Sequence, residues 1–146
     1  MNRVDFYILP ENSNQNRFAC NLINKVWQNG NHIYIHTINM EDAVMLDNLL
    51  WTFKDISFIP HSLVEKTNGE EMPVLIGWTT ELPDDCQVLV NLSENIPDFA
   101  KKFERIVEIV AGSEEQRKKA RGRYRDYRDQ GYELYDHKIE GDYERT

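Results

Sequence analysis

Arginine and tyrosine crowd one short stretch, Arg117 to Arg128 (RKKARGRYRDYR), where seven of twelve residues are Lys or Arg and Asp126 is the only acid. The whole chain has 17 basic and 25 acidic residues and a net charge of −8. Taking the stretch out of those totals leaves 10 basic against 24 acidic residues, a balance of −14. Arg117, Arg121, Arg125 and Arg128 stand at i, i+4, i+8 and i+11, one stripe along a helix, with Tyr124 inside it and Ala120 and Tyr127 beside it. A guanidinium can bond both oxygens of a carboxylate, and a neighbouring aromatic ring offers an apolar wall to a bulky side chain. Such a stripe suits a small acidic target, for example an acidic peptide. A chain this acidic has no long-range attraction for DNA or RNA, whose binding rests on many Lys and Arg contacts. Two other readings of the stretch are an ordinary solvated helix face and a nucleic-acid-binding module that uses the basic helix directly.

Elsewhere the residues that could do chemistry are sparse. Cys20 and Cys86 lie far apart, outside any CxxC pattern and in apolar contexts, which reads as two reduced, buried thiols of a cytoplasmic protein. His32 and His36 share one strand face but stand about 13 Å apart, too far for one metal, and no Cys, His or carboxylate has zinc-ligand spacing. No two of the seven glycines stand at GxG spacing and there is no GxxxxGK[ST], so both phosphate-cradling loops are missing. A nucleotide-dependent enzyme is therefore disfavoured. No metal, cofactor or catalytic constellation is expected.

The elements that must carry these residues alternate. RVDFYIL (Arg3–Leu9) reads as a strand, a helical spacing from Phe18 to Trp27 ends at Asn29-Gly30, and HIYIHT (His32–Thr37) reads as a second strand. Met40 to Phe53 is a second helix with Ala43, Leu46, Leu50 and Phe53 on its inner face. Asp55 to Leu63 contains Pro60 and reads as a loop or a short edge segment. PVLIGW and QVLVNL have the continuous apolar character of strands buried on both faces. Ile96 to Phe103 reads as a short helix, and RIVEIV (Arg105–Val110) as the last strand. The basic helix opens at Ser113, where Ser-Glu-Glu-Gln fits a capping box, runs over about 113–130 and stops at Gly131; an acidic tail, about 133–146, follows. The expectation is a single domain over 1–146, a three-layer α/β fold with a mostly parallel sheet flanked by helices. Its topology is nucleotide-binding-like, without the phosphate-binding loop. No apolar run is long enough to span a membrane.

With these residues in view, the chain resembles the chi subunit family of bacterial DNA polymerase III holoenzyme over nearly its whole length. The carriers are FYIL, Lys25-Val26-Trp27 with Gly30, LDNLLWTF (Leu46–Phe53), SFIPHSL (Ser57–Leu63), PVLIGW, VLVNL, PDFAKKFERIVEIV and ARGRYRDYRDQGY. The resemblance implies a non-catalytic subunit that pairs with the psi subunit, which attaches it to the clamp loader. It also implies binding of the acidic C-terminal tail of single-stranded-DNA-binding protein (SSB), which ends in proline and phenylalanine with a free carboxylate. On that reading Arg117, Arg121, Tyr124, Arg125 and Arg128 form the tail site. Trp51, Phe58, Pro60 and His61, an aromatic cluster beside an irregular segment, form the psi surface. The resemblance implies a cytoplasmic protein with little or no direct nucleic-acid binding. Asp126 and Asp129 flank the basic residues, and Gly122 lies inside the helix at a cost of about 1 kcal/mol relative to alanine.

Overall fold

Runs of β-branched and apolar residues alternate with amphipathic helices, and in the computed structural model the runs line up as one sheet. The structure describes residues 2–11, 13–52, 60–64, 73–79 and 86–139. Within them lie strands β1 (Arg3–Ile8), β2 (Ile33–His36), β3 (His61–Leu63), β4 (Val74–Gly77), β5 (Val88–Asn91), β6 (Arg105–Val110) and β7 (Glu133–Lys138). The helices are α1 (Gln15–Gln28), α2 (Met40–Thr52) and α3 (Glu114–Asp129). The strand order is β3-β4-β2-β5-β6-β1-β7, and every pairing is parallel. Parallel neighbours need crossovers; α1, α2 and α3 lie in those from β1 to β2, β2 to β3 and β6 to β7 and cover both faces.

Side-chain alternation sorts the core into two layers. On one face, Leu9, Ile33, Ile35, Val74, Ile76, Val88, Val90, Val107 and Ile109 pack against α1 and α2 through Phe18, Ile23, Val26, Ala43, Leu46 and Leu50. On the other, Val4, Phe6, Tyr34, Leu75, Leu89 and Ile106 pack against α3 through Ala120 and Tyr127, with Phe99 and Phe103 filling the rest. This is the expected three-layer α/β arrangement, with a sheet that is wholly parallel among the described residues. No described helix is long and apolar enough to cross a membrane.

The ends of the helices follow their capping residues. Asn14 accepts a hydrogen bond from the Arg17 amide and opens α1; Ser113 accepts one from the Gln116 amide and opens α3. Gly30 and Gly131 follow the two helices with φ of 89° and 91°, a conformation that favours glycine.

Three expectations change. Arg105–Val110 is not the last strand, because Glu133–Lys138 returns to pair with β1 at the sheet edge in register Arg3↔Glu133 to Ile8↔Lys138. The acidic tail therefore begins inside the sheet. Ile96–Phe103 forms no α-helix but only the 3-10 turn Ala100–Lys102, because Phe99 and Phe103 are both drawn down onto Tyr34, with ring centroids 6.0 and 6.2 Å from it. The short edge segment expected within Asp55–Leu63 is the edge strand β3, while residues 55–59 lie outside the described residues. Finally, Cys20 is buried but Cys86 is only half-buried, and neither is in a disulfide.

Candidate peptide-binding groove and helix surface

Helix α3 divides the basic residues by direction. Arg123 points inward: its Nε donates to Glu108 Oε1 at 3.0 Å and its NH1 to the Glu94 carbonyl at 3.1 Å. Glu108 is a fully buried acid within the apolar run of β6, and it also accepts from the Tyr127 hydroxyl at 2.7 Å and the Asn91 amide at 2.9 Å. Burial pushes the Glu108 carboxyl up, and the Arg123 charge with these donors opposes that push. Burial and the adjacent Glu108 carboxylate push the Tyr127 phenol far up, so it stays a neutral donor. Arg123 is thus a structural anchor. Lys119 is tied to Glu94 at 3.2 Å and Glu115 at 3.6 Å on the surface.

The outward residues form a groove. Arg117, Arg121 and Tyr124, with Ala120 between them, make one wall of a depression of about 500 Å³. Its floor is apolar sheet, Phe6, Ile8 and Val110, and its far wall is β7, through Asp136 and Lys138. Tyr124 is held against the floor by the Phe6 ring, 5.2 Å away. Arg117 reaches over the sheet end and donates to the Leu9 carbonyl at 3.2 Å, while its buried Nε finds no hydrogen-bond partner among the described residues. Arg121 is 58% exposed and makes a long 3.4 Å link to the still more exposed Glu114. The arrangement can grip carboxylates at the rim while an apolar or aromatic side chain lies on the floor. Arg125 and Arg128, expected in the same site, are exposed but do not line the groove; Arg128 lies 3.6 Å from Asp129.

The opposite wall escaped sequence reasoning. Asp136 and Lys138 enter only because β7 pairs with β1, and β7 is fastened there by charge. Asp5, fully buried on β1, accepts from Arg3 at 2.7 Å, Arg105 at 2.8 Å and His137 at 2.8 Å. Burial alone would raise the Asp5 pKa, but hydrogen bonds from Arg3, His137 and Arg105 outweigh it and bring the group down to about 2. The imidazole of His137 also stacks on Tyr7, centroids 4.5 Å apart, and Arg3 sits 4.2 Å over the Tyr135 ring. The available signal was a single acid, Asp5, inside the apolar run of β1; Arg105 comes beside it only through the pairing of β1 with β6.

The second expected cluster is partly assembled. Trp51 stands near the end of α2, 53% exposed, with its ring 4.3 Å from the His61 ring. His61 itself is buried at the start of β3, its Nε2 3.2 Å from the Asp47 carbonyl oxygen. Pro60 is half-buried beside it, and Phe58 lies outside the described residues. The structure thus presents Trp51 and places His61 beneath it as support. Among the described residues no group of three or more His, Cys, Asp or Glu could hold a metal ion.

Comparisons with known proteins agree with this architecture. Residues 1–135 match the family model described as DNA polymerase III chi subunit, HolC. The chain is 38% identical over 141 residues to the DNA polymerase III subunit chi of Pseudomonas aeruginosa, covering 95% of this chain and 98% of the relative. It is 32% identical to the protein of the same name from Haemophilus influenzae, covering 90% and 93% of the two chains. For the Escherichia coli protein of that name the identity is 27%, over 92% and 96%. Matched over nearly its whole length, the chain belongs to the DNA polymerase III chi subunit family.

Proposed function

We propose that this chain is a non-catalytic accessory subunit of the replicative clamp-loader assembly, binding the acidic C-terminal tail of SSB in the α3–β7 groove and the psi subunit at the Trp51 surface. The observation that carries the reading is the groove: Arg117, Arg121 and Tyr124 share one wall above a floor of Phe6, Ile8 and Val110. Fixed cations at the rim suit the tail's acids and terminal carboxylate, and the floor with Tyr124 suits its last ring. Arg125 and Arg128 lie beyond the rim, where they add long-range attraction that salt screens. On the other side of the molecule, Trp51 with Pro60 and the supporting His61 offers the exposed aromatic anchor that protein partners use. Pairing there attaches the subunit to the clamp loader through psi.

Calorimetry with a synthetic peptide of the SSB tail tests the reading. Charge-assisted hydrogen bonds are worth about 1.5–3 kcal/mol each, so Arg121→Ala should weaken binding roughly tenfold or more. Removing the peptide's final phenylalanine should do the same, and added salt should weaken the wild-type complex. Unchanged affinity in Arg117→Ala and Arg121→Ala overturns the groove assignment. Single-stranded DNA binding as well as the peptide would instead favour the direct nucleic-acid reading. For the other surface, Trp51→Ala should abolish psi binding while unfolding stays cooperative.

A further inference from the structure

Helix α2 is apolar on two sides. Ala43, Leu46 and Leu50 are buried against the sheet, yet Met40 is 52% exposed, Val44 38% and Trp51 53%. With Asp47 these three stand at positions 40, 44, 47 and 51, the alternating four-three-four spacing of a coiled-coil seam. The seam runs about 16 Å along the helix, long enough for two heptads of a partner helix to seat their knobs. Its one polar position is Asp47, whose Oδ1 lies 3.4 Å from the Nε2 of buried His61. Glu41 and Asp42 flank the seam, and the thirteen residues of α2 include no Lys or Arg. An apolar line with an acid in its middle and acids at its flank discriminates by charge.

We propose that the outward seam of α2 docks an amphipathic helix of a partner protein that carries Lys or Arg opposite Asp47. A second copy of this chain fits poorly, because its own α2 would bring a like set of acids and no base. An anionic membrane surface is repelled for the same reason. The inference deepens the proposed pairing with psi, since Trp51 belongs to both. It extends that contact along the whole helix and sets the charge of its occupant.

The experiment uses two probes with the full chain. One is the psi subunit; the other is a synthetic amphipathic helix of three heptads, Leu at the seam positions except for one Lys placed to face Asp47. Calorimetry with the peptide decides the seam. Met40→Lys and Val44→Lys, at positions too exposed to unfold the domain, should each weaken the peptide tenfold or more. Exchanging the peptide's seam Lys for Glu should weaken it at least as much, and Asp47→Lys should restore binding of the Glu peptide. Equal affinity for Lys and Glu peptides, no binding of the Lys peptide, or wild-type affinity in both seam variants overturns the proposal. The psi probe separates the two readings. Psi binding lost in Trp51→Ala but kept in Met40→Lys and Val44→Lys leaves psi as partner and removes the seam. A peptide that behaves as expected while psi does not bind keeps the seam and removes psi.

Discussion

Helices α2 and α3 occupy equivalent places in the fold, each following a parallel strand and covering one face of the sheet, yet they meet solvent in opposite ways. α3 is basic and strongly polar, and it is anchored through one buried ion pair and one buried phenol, Arg123 and Tyr127 on Glu108. α2 is anchored mainly by Ala43, Leu46 and Leu50, with Asp47 beside the buried His61, has three acids and no base, and leaves Met40, Val44 and Trp51 outside. A helix held by a few specific polar contacts can give its outer face to charge. A helix held mainly by apolar packing here keeps a second apolar face exposed. On the proposed reading, the difference separates two recognition chemistries, anionic peptide at α3 and a cationic amphipathic helix at α2, on opposite faces of one sheet.

The largest expected effect tests whether α3 depends on that anchor. Arg123→Ala leaves the Glu108 carboxylate buried beside Tyr127 and Asn91 without its cation, and should destabilise the domain by about 3–5 kcal/mol in urea unfolding. Arg121→Ala, two residues away but exposed, should change stability by less than about 0.5 kcal/mol. The double replacement Glu108→Leu with Arg123→Met should recover most of the loss, since an apolar pair of similar volume avoids burying charge. Equal stability of Arg123→Ala and Arg121→Ala would erase the distinction between the two faces of the helix.

That distinction was only half legible beforehand. The i, i+4 spacing of Arg117 and Arg121 with Tyr124 is a local property, and those three residues do share one wall. Arg125 and Arg128 satisfy the same spacing but run past the end of the groove, a limit set by tertiary packing. Arg123 counts as one more positive charge until Glu108 is placed beneath it, although an acid within the apolar run RIVEIV already calls for a buried cation. β7 was hidden for a different reason. Only Leu134 and His137 of Glu133–Lys138, both half-buried, turn from solvent, so the strand has no apolar pattern; it forms because the backbone edge of β1 is available and Asp5 holds His137.

The second expected effect is acid sensitivity confined to the groove side. Asp5 has its folded pKa lowered to about 2, below the usual value near 3.8. A depressed carboxylate contributes stability above its unfolded pKa and loses it as pH falls through the folded value. Here the shift corresponds to about 2 kcal/mol, fully present above pH 4 and lost towards pH 2. Urea titrations of wild type and Asp5→Asn at several pH values between 5 and 2 check this: the wild-type curve should fall more steeply by about that amount. Because Asp5 fastens β7 through His137, hydrogen exchange across 133–138 should rise in Asp5→Asn while exchange in α2 stays unchanged. Parallel loss in both regions would show that Asp5 supports the fold at large.

A smaller effect weighs the groove wall that β7 supplies against a basic residue that α3 carries outside the groove. Lys138→Ala removes a cation at the rim and should weaken SSB-tail peptide binding about fivefold, near the 1 kcal/mol expected of one charge pair in water. Arg128→Ala removes a cation beyond the rim and should change affinity by less than about twofold in moderate salt. Asp136→Asn, which takes an acid out of the same wall, should tighten binding. The reverse ranking of Lys138 and Arg128 would return the site to the linear stripe read along α3.

The smallest effect asks whether α3 is optimised as a helix at all. Gly122 sits in its middle turn, and a methyl group added there meets nothing within 4 Å. Its backbone is ordinary helix, so no left-handed conformation requires glycine. Nor does it line the groove, where a side chain could block a ligand. Gly122→Ala should then stabilise the domain by about 0.5–1 kcal/mol, chiefly by narrowing the unfolded ensemble. The tail peptide should bind with unchanged affinity, since Arg117, Arg121 and Tyr124 already stand on a formed helix. A gain in stability together with a gain in affinity would mean that α3 frays in the free protein and that part of the binding energy goes into ordering it. In that case the basic face of α3 is less pre-formed than the apolar face of α2, and the contrast between the two helices extends from chemistry to order.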